Sequence, residues 1–120
     1  LSVTDLDSNG RPDYIAVENN GPLLAFKNET HENRFLSIRL KGPKGNPSGM
    51  GTKLVLEYSD GTKTASEIYG GSGYLSQSSP NTFFGLGKRR PKSLEVTWPD
   101  GKMKTEPLSN TTGGVMQVHY

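Results

Sequence analysis

The residues best suited to chemistry lie near the N-terminus, where oxygen-bearing side chains recur at every second position. Asp5, Asp7 and Asn9 point toward one centre if the chain curls tightly, and Gly10 permits the sharp turn that this requires. Ca²⁺ takes about six to eight oxygen ligands, and this segment supplies about six. The spacing therefore predicts a calcium-binding loop. Its expected ligands are Asp5, Asp7, Asn9, the backbone carbonyl of Arg11, and Asp13, which can offer both carboxylate oxygens.

Three other interpretations of this loop compete with calcium binding. An EF-hand needs a bidentate Glu at the twelfth loop position and flanking helices, but that position is Ala16, inside a β-type run. An acidic turn, in which the aspartates only cap backbone amides, leaves three carboxylates close together with no cation to offset their repulsion. Mg²⁺ keeps more of its own water molecules and needs fewer carboxylates. A calcium loop that leads into a strand is therefore favoured, and calcium is the expected cofactor.

Composition argues against several other kinds of chemistry and partner. The 120 residues include no cysteine, which removes disulfides, thiol nucleophiles and thiolate metal sites. The formal charge of +2 is too small to indicate a nucleic-acid partner. The basic cluster at residues 88–92 has no interleaved aromatic side chains for base stacking, so it is interpreted as a solvated loop. No apolar run approaches the roughly 20 residues that span a bilayer, so no membrane span is expected.

Alternating side chains and turn signals predict strands along most of the chain. Residues 13–17 and 23–26 are expected to form a hairpin, followed by a polar linker at residues 28–34. Further strands are predicted at residues 35–41, 53–57, 62–69, 82–85, 93–98 and 115–120. Turn signals about every eight to twelve residues predict an all-β fold, an antiparallel sandwich or barrel of about seven strands, with a helix content near zero.

Ordered motifs along the chain resemble two known families. Four segments are similar, in the expected order, to the ASPIC/UnbV domain of the cartilage acidic protein-like family: residues 46–54, 70–78, 84–87 and 96–101. The loop at residues 5–13 and the run after it resemble the FG-GAP/VCBS repeat, a blade unit of calcium-bearing β-propellers. The resemblance implies a partial repeat at residues 1–28, with calcium loop and hairpin, and an ASPIC/UnbV-like β-sandwich at residues 34–120.

The resemblance also implies a setting and a kind of partner. It implies a secreted module, extracellular or periplasmic, for adhesion, assembly or matrix interaction, whose partner is a protein or a glycan. Glycosylation sequons at Asn28 and Asn110 are compatible with secretion. Because Leu1 is preceded by no signal core, the chain is expected to be a mature or excised piece. A lone hairpin is only marginally stable, so residues 1–28 are expected to pack on the sandwich or on a neighbouring chain. Open strand edges are expected to permit self-association.

The remaining side chains give little support to catalysis. The chain has two histidines and no Gly-x-Ser-x-Gly motif, so no enzyme is expected. The glycine-rich segment at residues 70–79 is the better functional candidate, and its candidate partner-binding residues are Tyr74, Ser76 and Gln77. The structural alternative is that Tyr74 and Leu75 fill the sandwich while the serines satisfy turn amides.

Three functions are considered, the third being a hydrolase, for which the side chains give little support. The first is a non-catalytic, calcium-stabilised interaction or adhesion module outside the cell. The second is a carbohydrate-binding module that uses Tyr74 or Trp98. Because Trp98 ends an alternating apolar run, it is interpreted as a core residue, and a sugar-stacking role needs its ring to be exposed.

Overall fold

The computed structural model describes residues 1–31 and 34–120. Over these residues the chain forms ten strands, which are β1 (Ser2–Thr4), β2 (Asp13–Val17), β3 (Leu23–Phe26), β4 (Arg34–Lys41), β5 (Lys53–Tyr58), β6 (Lys63–Glu67), β7 (Thr82–Gly87), β8 (Pro91–Thr97), β9 (Met103–Pro107) and β10 (Gly114–His119). The described residues include no α-helix, so none is long and apolar enough to cross a membrane.

The strands are arranged in three sheets. The N-terminal sheet has the order β1-β2-β3, the second sheet β10-β4-β7 and the third β6-β5-β8-β9. The second and third sheets form a sandwich, and the predicted all-β sandwich is therefore confirmed. Seven of the strands that the structure describes belong to it.

The core lies between the two sheets of the sandwich. The second sheet contributes alternate residues of β4, such as Leu36 and Ile38, while β5 of the third sheet contributes Leu54 and Leu56. All four side chains are fully buried. This alternation is the period-two pattern that the sequence predicts, because successive side chains of a strand point to opposite faces.

One strand pair departs from the antiparallel arrangement that was predicted. β10 runs parallel to β4, with Gly114 beside Leu36 and His119 beside Lys41. The chain reaches β10 from β9, which lies in the other sheet. Sequence periodicity identifies a strand but not its direction, because side chains alternate in the same way in parallel and antiparallel pairs.

Two strands have too weak a pattern to be predicted. β1 has three residues, which is too short to show alternation, and the N-terminal segment is expected from sequence to be only a polar turn. β9 reads Met-Lys-Thr-Glu-Pro and is mostly exposed at the edge of its sheet, so it has no apolar face. The predicted linker at residues 28–34 includes residues 32 and 33, which lie outside the described residues.

The N-terminal sheet is attached to the sandwich through its first strand. Val3 on β1 donates its N–H to Ser78 Oγ (3.1 Å) and accepts the N–H of Ser79 at its carbonyl (2.9 Å). Ser2 Oγ donates to the carbonyl of Gln77 (2.7 Å). These bonds satisfy the free edge of β1. On the opposite edge, β3 has no partner strand beyond β2 among the described residues.

A second attachment depends on a glycine in the N-terminal loop. A Cβ placed on Gly10 would lie 2.8 Å from the carbonyl carbon of Gly114 at the start of β10. Gly10 also has φ of +84°, a conformation that other residues adopt only with strain. The loop can therefore lie against the sandwich only because this position lacks a side chain.

We expect Gly10→Ala to destabilise the protein more than Gly61→Ala, as measured by urea unfolding. Both glycines have a positive φ, so each substitution costs about 1 kcal/mol for the backbone conformation. Nothing lies within 4 Å of a Cβ at Gly61, whereas Gly10 meets backbone atoms that cannot rotate away. The contact adds about 1–3 kcal/mol at Gly10 alone. Equal losses in the two variants would contradict this account of the attachment.

Candidate metal centre

The loop between β1 and β2 is closed by the pairing of those two strands. Thr4 lies opposite Asp13, so the chain leaves β1 at Asp5 and returns beside it eight residues later. Positive φ values at Ser8 (57°) and Gly10 (84°) curl the intervening residues tightly. The strand register therefore brings the two ends of the acidic segment together before any side-chain contact is considered.

The carboxylate of Asp5 holds the far side of the loop. One oxygen accepts the N–H of Asn9 at 3.0 Å, and the other accepts the N–H of Gly10 at 2.9 Å. A carboxylate oxygen has two lone-pair sites, so each keeps one available for a further contact. The side chain can thus shape the turn and still contribute to a cation site.

The carboxylate of Asp13 is fully buried and connects two parts of the chain. One oxygen accepts the N–H of Leu6 in the loop at 2.8 Å, and the other accepts the N–H of Asn28, just after β3, at 2.7 Å. A buried charge without partners is costly, and these two N–H groups offset part of that cost. Asp13 is therefore a structural residue as well as a candidate ligand.

Asp7 contacts a cation of the protein itself. Its Oδ2 lies 2.7 Å from Lys27 Nζ, and both side chains are partly exposed. The hydrogen bond from the lysine holds the pKa of Asp7 below its usual value, and the same contact raises the pKa of Lys27. One positive charge thus lies at the edge of the acidic cluster.

The three aspartates converge as the spacing predicts. Asp5, Asp7 and Asp13 each place a carboxylate oxygen within 4.8 Å of the others. Oxygens of a Ca²⁺ shell lie about 2.3–2.6 Å from the ion, so pairs of them span up to about 5 Å. The residues present therefore fit a hard, oxygen-preferring cation in both chemistry and spacing.

The other two predicted ligands are used differently. Asn9 Oδ1 accepts both the backbone N–H of Arg11 (2.8 Å) and its Nε (3.2 Å), which occupies both of its lone pairs. The guanidinium of Arg11 also donates to the carbonyl of Thr30 at 3.1 Å. For Asn9 to bind a cation, it has to release one of these bonds. Both amide capping and carboxylate convergence are present in this loop.

Two residues just after β3 also belong to the site and were not predicted from the sequence. Lys27 and Asn28 complete the site from the opposite side of the loop, one as a cation and one through its backbone N–H. Their positions depend on the hairpin register, which the structure shows with Tyr14 opposite Phe26. Extending that register by one position places residue 27 beside Asp13.

The glycine-rich segment contradicts one structural expectation. Tyr74 is 90% exposed and Leu75 is 91% exposed, so neither fills the sandwich. Leu75 also has φ of +48°, which is uncommon for a bulky residue. The prediction that these side chains are core residues is wrong, because the segment lies at the surface between the N-terminal sheet and the sandwich.

Tyr74, Ser76 and Gln77 do not share one outward face. Ser76 Oγ is buried, has no hydrogen-bond partner among the described residues and lies against the position that a Cβ on Gly73 would take. The side chain of Gln77 accepts the N–H of Gly71 and donates to the carbonyl of Ser78. Of the three candidates, Tyr74 has a side chain that is open to solvent. Gln77 stabilises the glycine-rich segment through its own hydrogen bonds.

Trp98 lies in the core, as its alternating pattern predicts. Its ring is 2% exposed and packs edge-to-face on Tyr120, with centroids 5.3 Å apart. A ring this deeply buried has no face open to a sugar. The carbohydrate-binding alternative therefore depends on Tyr74 alone.

Comparison with known families agrees with the motifs in the sandwich. The family model described as ASPIC and UnbV matches residues 42–114. The chain belongs to this family. The matched range contains all four motif segments, from residue 46 to residue 101, and that resemblance is confirmed. The match does not extend to the acidic loop at residues 5–13.

Curated relatives cover nearly the whole chain. Cartilage acidic protein 1 of Xenopus tropicalis is 38% identical over 124 residues, which cover 99% of this chain and 19% of that protein. Cartilage acidic protein 1 of Homo sapiens is 36% identical over 123 residues, covering 98% of this chain and 18% of the relative. The chain thus spans about a fifth of the length of the curated relatives it matches.

We expect Asp13→Asn to destabilise the protein even in the presence of a chelator. An asparagine at this position places its NH₂ group against one of the two backbone N–H groups that donate to the carboxylate. That backbone N–H is then left without an acceptor in a buried position. The free energy of unfolding should fall by about 2–3 kcal/mol in urea titrations. Asp7→Asn is the matched control and should change little, because Asp7 is exposed and its salt bridge is with a half-exposed lysine. Equal effects of the two substitutions would argue against the anchoring role of Asp13.

Proposed function

We propose that this chain is a non-catalytic, calcium-stabilised interaction module that acts outside the cell. The observation that carries the proposal is the convergence of Asp5, Asp7 and Asp13 within 4.8 Å. This cluster lies in the loop that contacts both the N-terminal sheet and the sandwich. A cation bound there adds its binding free energy to the stability of the folded state.

The proposed setting and partner class rest on the family and its relatives. The matched relatives carry cartilage in their names, which supports a location outside the cell for this chain as well. The exposed side chains of Tyr74 and Leu75 supply an apolar surface of the kind that protein partners cover. The open edge of β3 offers a second contact, and self-association through it is part of the proposal.

The proposed role of calcium is to hold the acidic loop in place against the end of the hairpin. Asp13 already connects the loop to the residue after β3, and Asp5 holds the turn at Asn9 and Gly10. When bound, Ca²⁺ supplies positive charge that offsets the repulsion between the three carboxylates. The chain's own contribution is to keep these groups close together through backbone hydrogen bonds.

A carbohydrate-binding module is the second candidate function, supported by the exposure of Tyr74. An exposed tyrosine offers a flat apolar face and a polar tip, both of which suit a sugar ring. The surrounding contacts favour the protein-interaction role, because Ser76 Oγ is turned inward and Gln77 is engaged with its own segment. Tyr74 would have to bind a sugar without these two neighbours.

We expect calcium to raise the melting temperature of the protein and Asp7→Asn to reduce that rise. Among the described residues, Asp5 and Asp13 each accept two backbone N–H groups and Asp7 accepts no such pair, so its substitution tests the site and not the fold. At a free calcium concentration about 100 times the Kd, the stabilisation is about 2.7 kcal/mol. The measurement is differential scanning fluorimetry in calcium, in magnesium and in chelator.

Glu18→Gln is the matched control for this experiment. Glu18 is an exposed carboxylate outside the acidic cluster, so its loss removes the same charge without touching the site. The control should keep the full response to calcium. Identical melting curves in calcium and in chelator for the native sequence would refute calcium stabilisation.

We expect Lys27→Met to strengthen calcium binding by about 2- to 5-fold. The ammonium of Lys27 lies 2.7 Å from Asp7 and competes with the ion for that carboxylate. Methionine keeps the aliphatic length but removes the charge. The control is Lys44→Met, since Lys44 is exposed and makes no salt bridge within the described part of the chain. Isothermal titration of calcium into both variants separates the local effect from the change in net charge. Weaker binding in Lys27→Met would show that the lysine supports the site instead.

A further inference from the structure

We propose that a basic corner of the sandwich binds a sulfated polysaccharide. The basic corner is the set of cationic residues around the loop that joins β7 to β8, namely Arg34, Lys63, Lys88, Arg89, Arg90 and Lys92. The proposal rests on the extracellular setting proposed above, but it does not depend on calcium. The sequence alone suggests only a solvated loop here, because residues 34 and 63 are distant along the chain.

Direct contacts join these cations into one site. Arg34 Nη2 donates to the carbonyl of Arg89 at 2.8 Å, which brings the start of β4 to the loop. The carbonyl of Arg90 accepts the N–H of Ser59 at 2.9 Å, which brings in the turn between β5 and β6. Lys63 and Lys92 both pair with Glu57. The cluster is therefore formed by the fold and not by neighbouring sequence positions alone.

The charge of the basic corner exceeds that of the whole chain. Among the described residues, two carboxylates lie beside these six cations. Glu57 pairs with two lysines, and the pKa of Asp60 is lowered mainly by hydrogen bonds from Thr62 and to a smaller extent by the charge of Arg89. The corner therefore has a net charge of +4, while the chain as a whole has +2. The rest of the chain is thus net negative. Such segregation attracts a polyanion to one end of the molecule.

Two guanidinium groups are already held in place. Arg34 Nε donates to the carbonyl of Gly87 at 3.3 Å, in addition to its bond to the carbonyl of Arg89. Arg89 lies 3.9 Å above the ring of Tyr58 and donates to the carbonyl of Gly85 at 3.3 Å. A guanidinium has five N–H donors, so each arginine keeps several for an anion. Less side-chain entropy is lost on binding when the groups are ordered beforehand.

The loop backbone is also constrained. Arg89 donates its N–H to the carbonyl of Leu86 at 3.0 Å, which closes a turn at the end of β7. The register between β4 and β7 shifts between Arg34 and Phe35, because Arg34 lies opposite Gly87 and Phe35 opposite Gly85. Pro91 then starts β8 and is buried. These constraints present the cations on a fixed surface.

The chemistry of the corner favours sulfate groups on a polysaccharide over other polyanions. The aromatic ring in contact with it, Tyr58, is 1% exposed, so it cannot stack with bases. Leu86 and Pro91 are buried, so the loop offers no apolar side chain from these positions for insertion into a lipid surface. Guanidinium groups match the oxygens of sulfate and phosphate in pairs. The basic corner is therefore suited to anionic groups that are spaced along a flexible polysaccharide chain.

The test compares binding to immobilised heparin by the native protein and by two double variants. Lys88→Gln/Arg90→Gln removes two charges from the basic corner, and both side chains are exposed. Lys41→Gln/Lys44→Gln removes two charges elsewhere and is the matched control. We expect the first variant to bind about 10-fold more weakly with a salt dependence reduced by about two charges, and the control to change less than about 2-fold. Melting curves verify that each variant is folded.

Several outcomes would overturn the proposal. Equal weakening in both variants would show binding governed by net charge only. Full binding to desulfated heparin would remove the role of sulfate, and tighter binding to a DNA duplex or to phosphatidylserine vesicles would assign the corner to another partner. The experiment is run both in calcium and in chelator. Binding that persists in chelator supports this proposal even if calcium stabilisation fails, which keeps the two proposals separable.

Discussion

The buried carboxylate of Asp13 is the interaction on which the N-terminal part of the structure depends. Its two oxygens hold the loop at Leu6 and the chain after β3 at Asn28. Both ends of the three-stranded sheet are thereby fixed to one residue. Because a buried charge is stable only when its partners are in place, this residue couples the fold of the loop to that of the hairpin. Any cation site here is built on a structural anchor.

That anchor matters because the N-terminal sheet has little core of its own. Every residue of β3 is exposed, including Leu23 and Phe26, while the sandwich behind it buries a continuous core. The sheet gains its order from bonds between β1 and residues 77–79 and from the close approach of Gly10 to Gly114. Because this segment buries so little area, one additional interaction changes its stability strongly. Calcium binding is proposed to supply that interaction.

The sequence was informative where side chains alternate and uninformative where contacts join distant segments. β4 was predicted to within one residue of its observed bounds, since Leu36, Ile38 and Leu40 form an uninterrupted apolar face. β9 was missed because an exposed edge strand needs no such face. The three aspartates were found from spacing, but Lys27 was not, because its position depends on hairpin register. The direction of β10 likewise depends on which sheet the chain enters and not on its own residues.

The two proposed sites also follow from how charge is divided along the chain. Residues 1–33 carry six acidic and two basic side chains, a net charge of −4, while residues 34–120 carry six acidic and twelve basic side chains, a net charge of +6. The N-terminal part therefore concentrates carboxylates where a cation reduces their repulsion, and the sandwich concentrates cations where an anion does the same. The two sites share no residue, so occupancy of one does not remove a ligand from the other. Binding of a polyanion at the basic corner then leaves the acidic loop available to connect the N-terminal sheet to the sandwich.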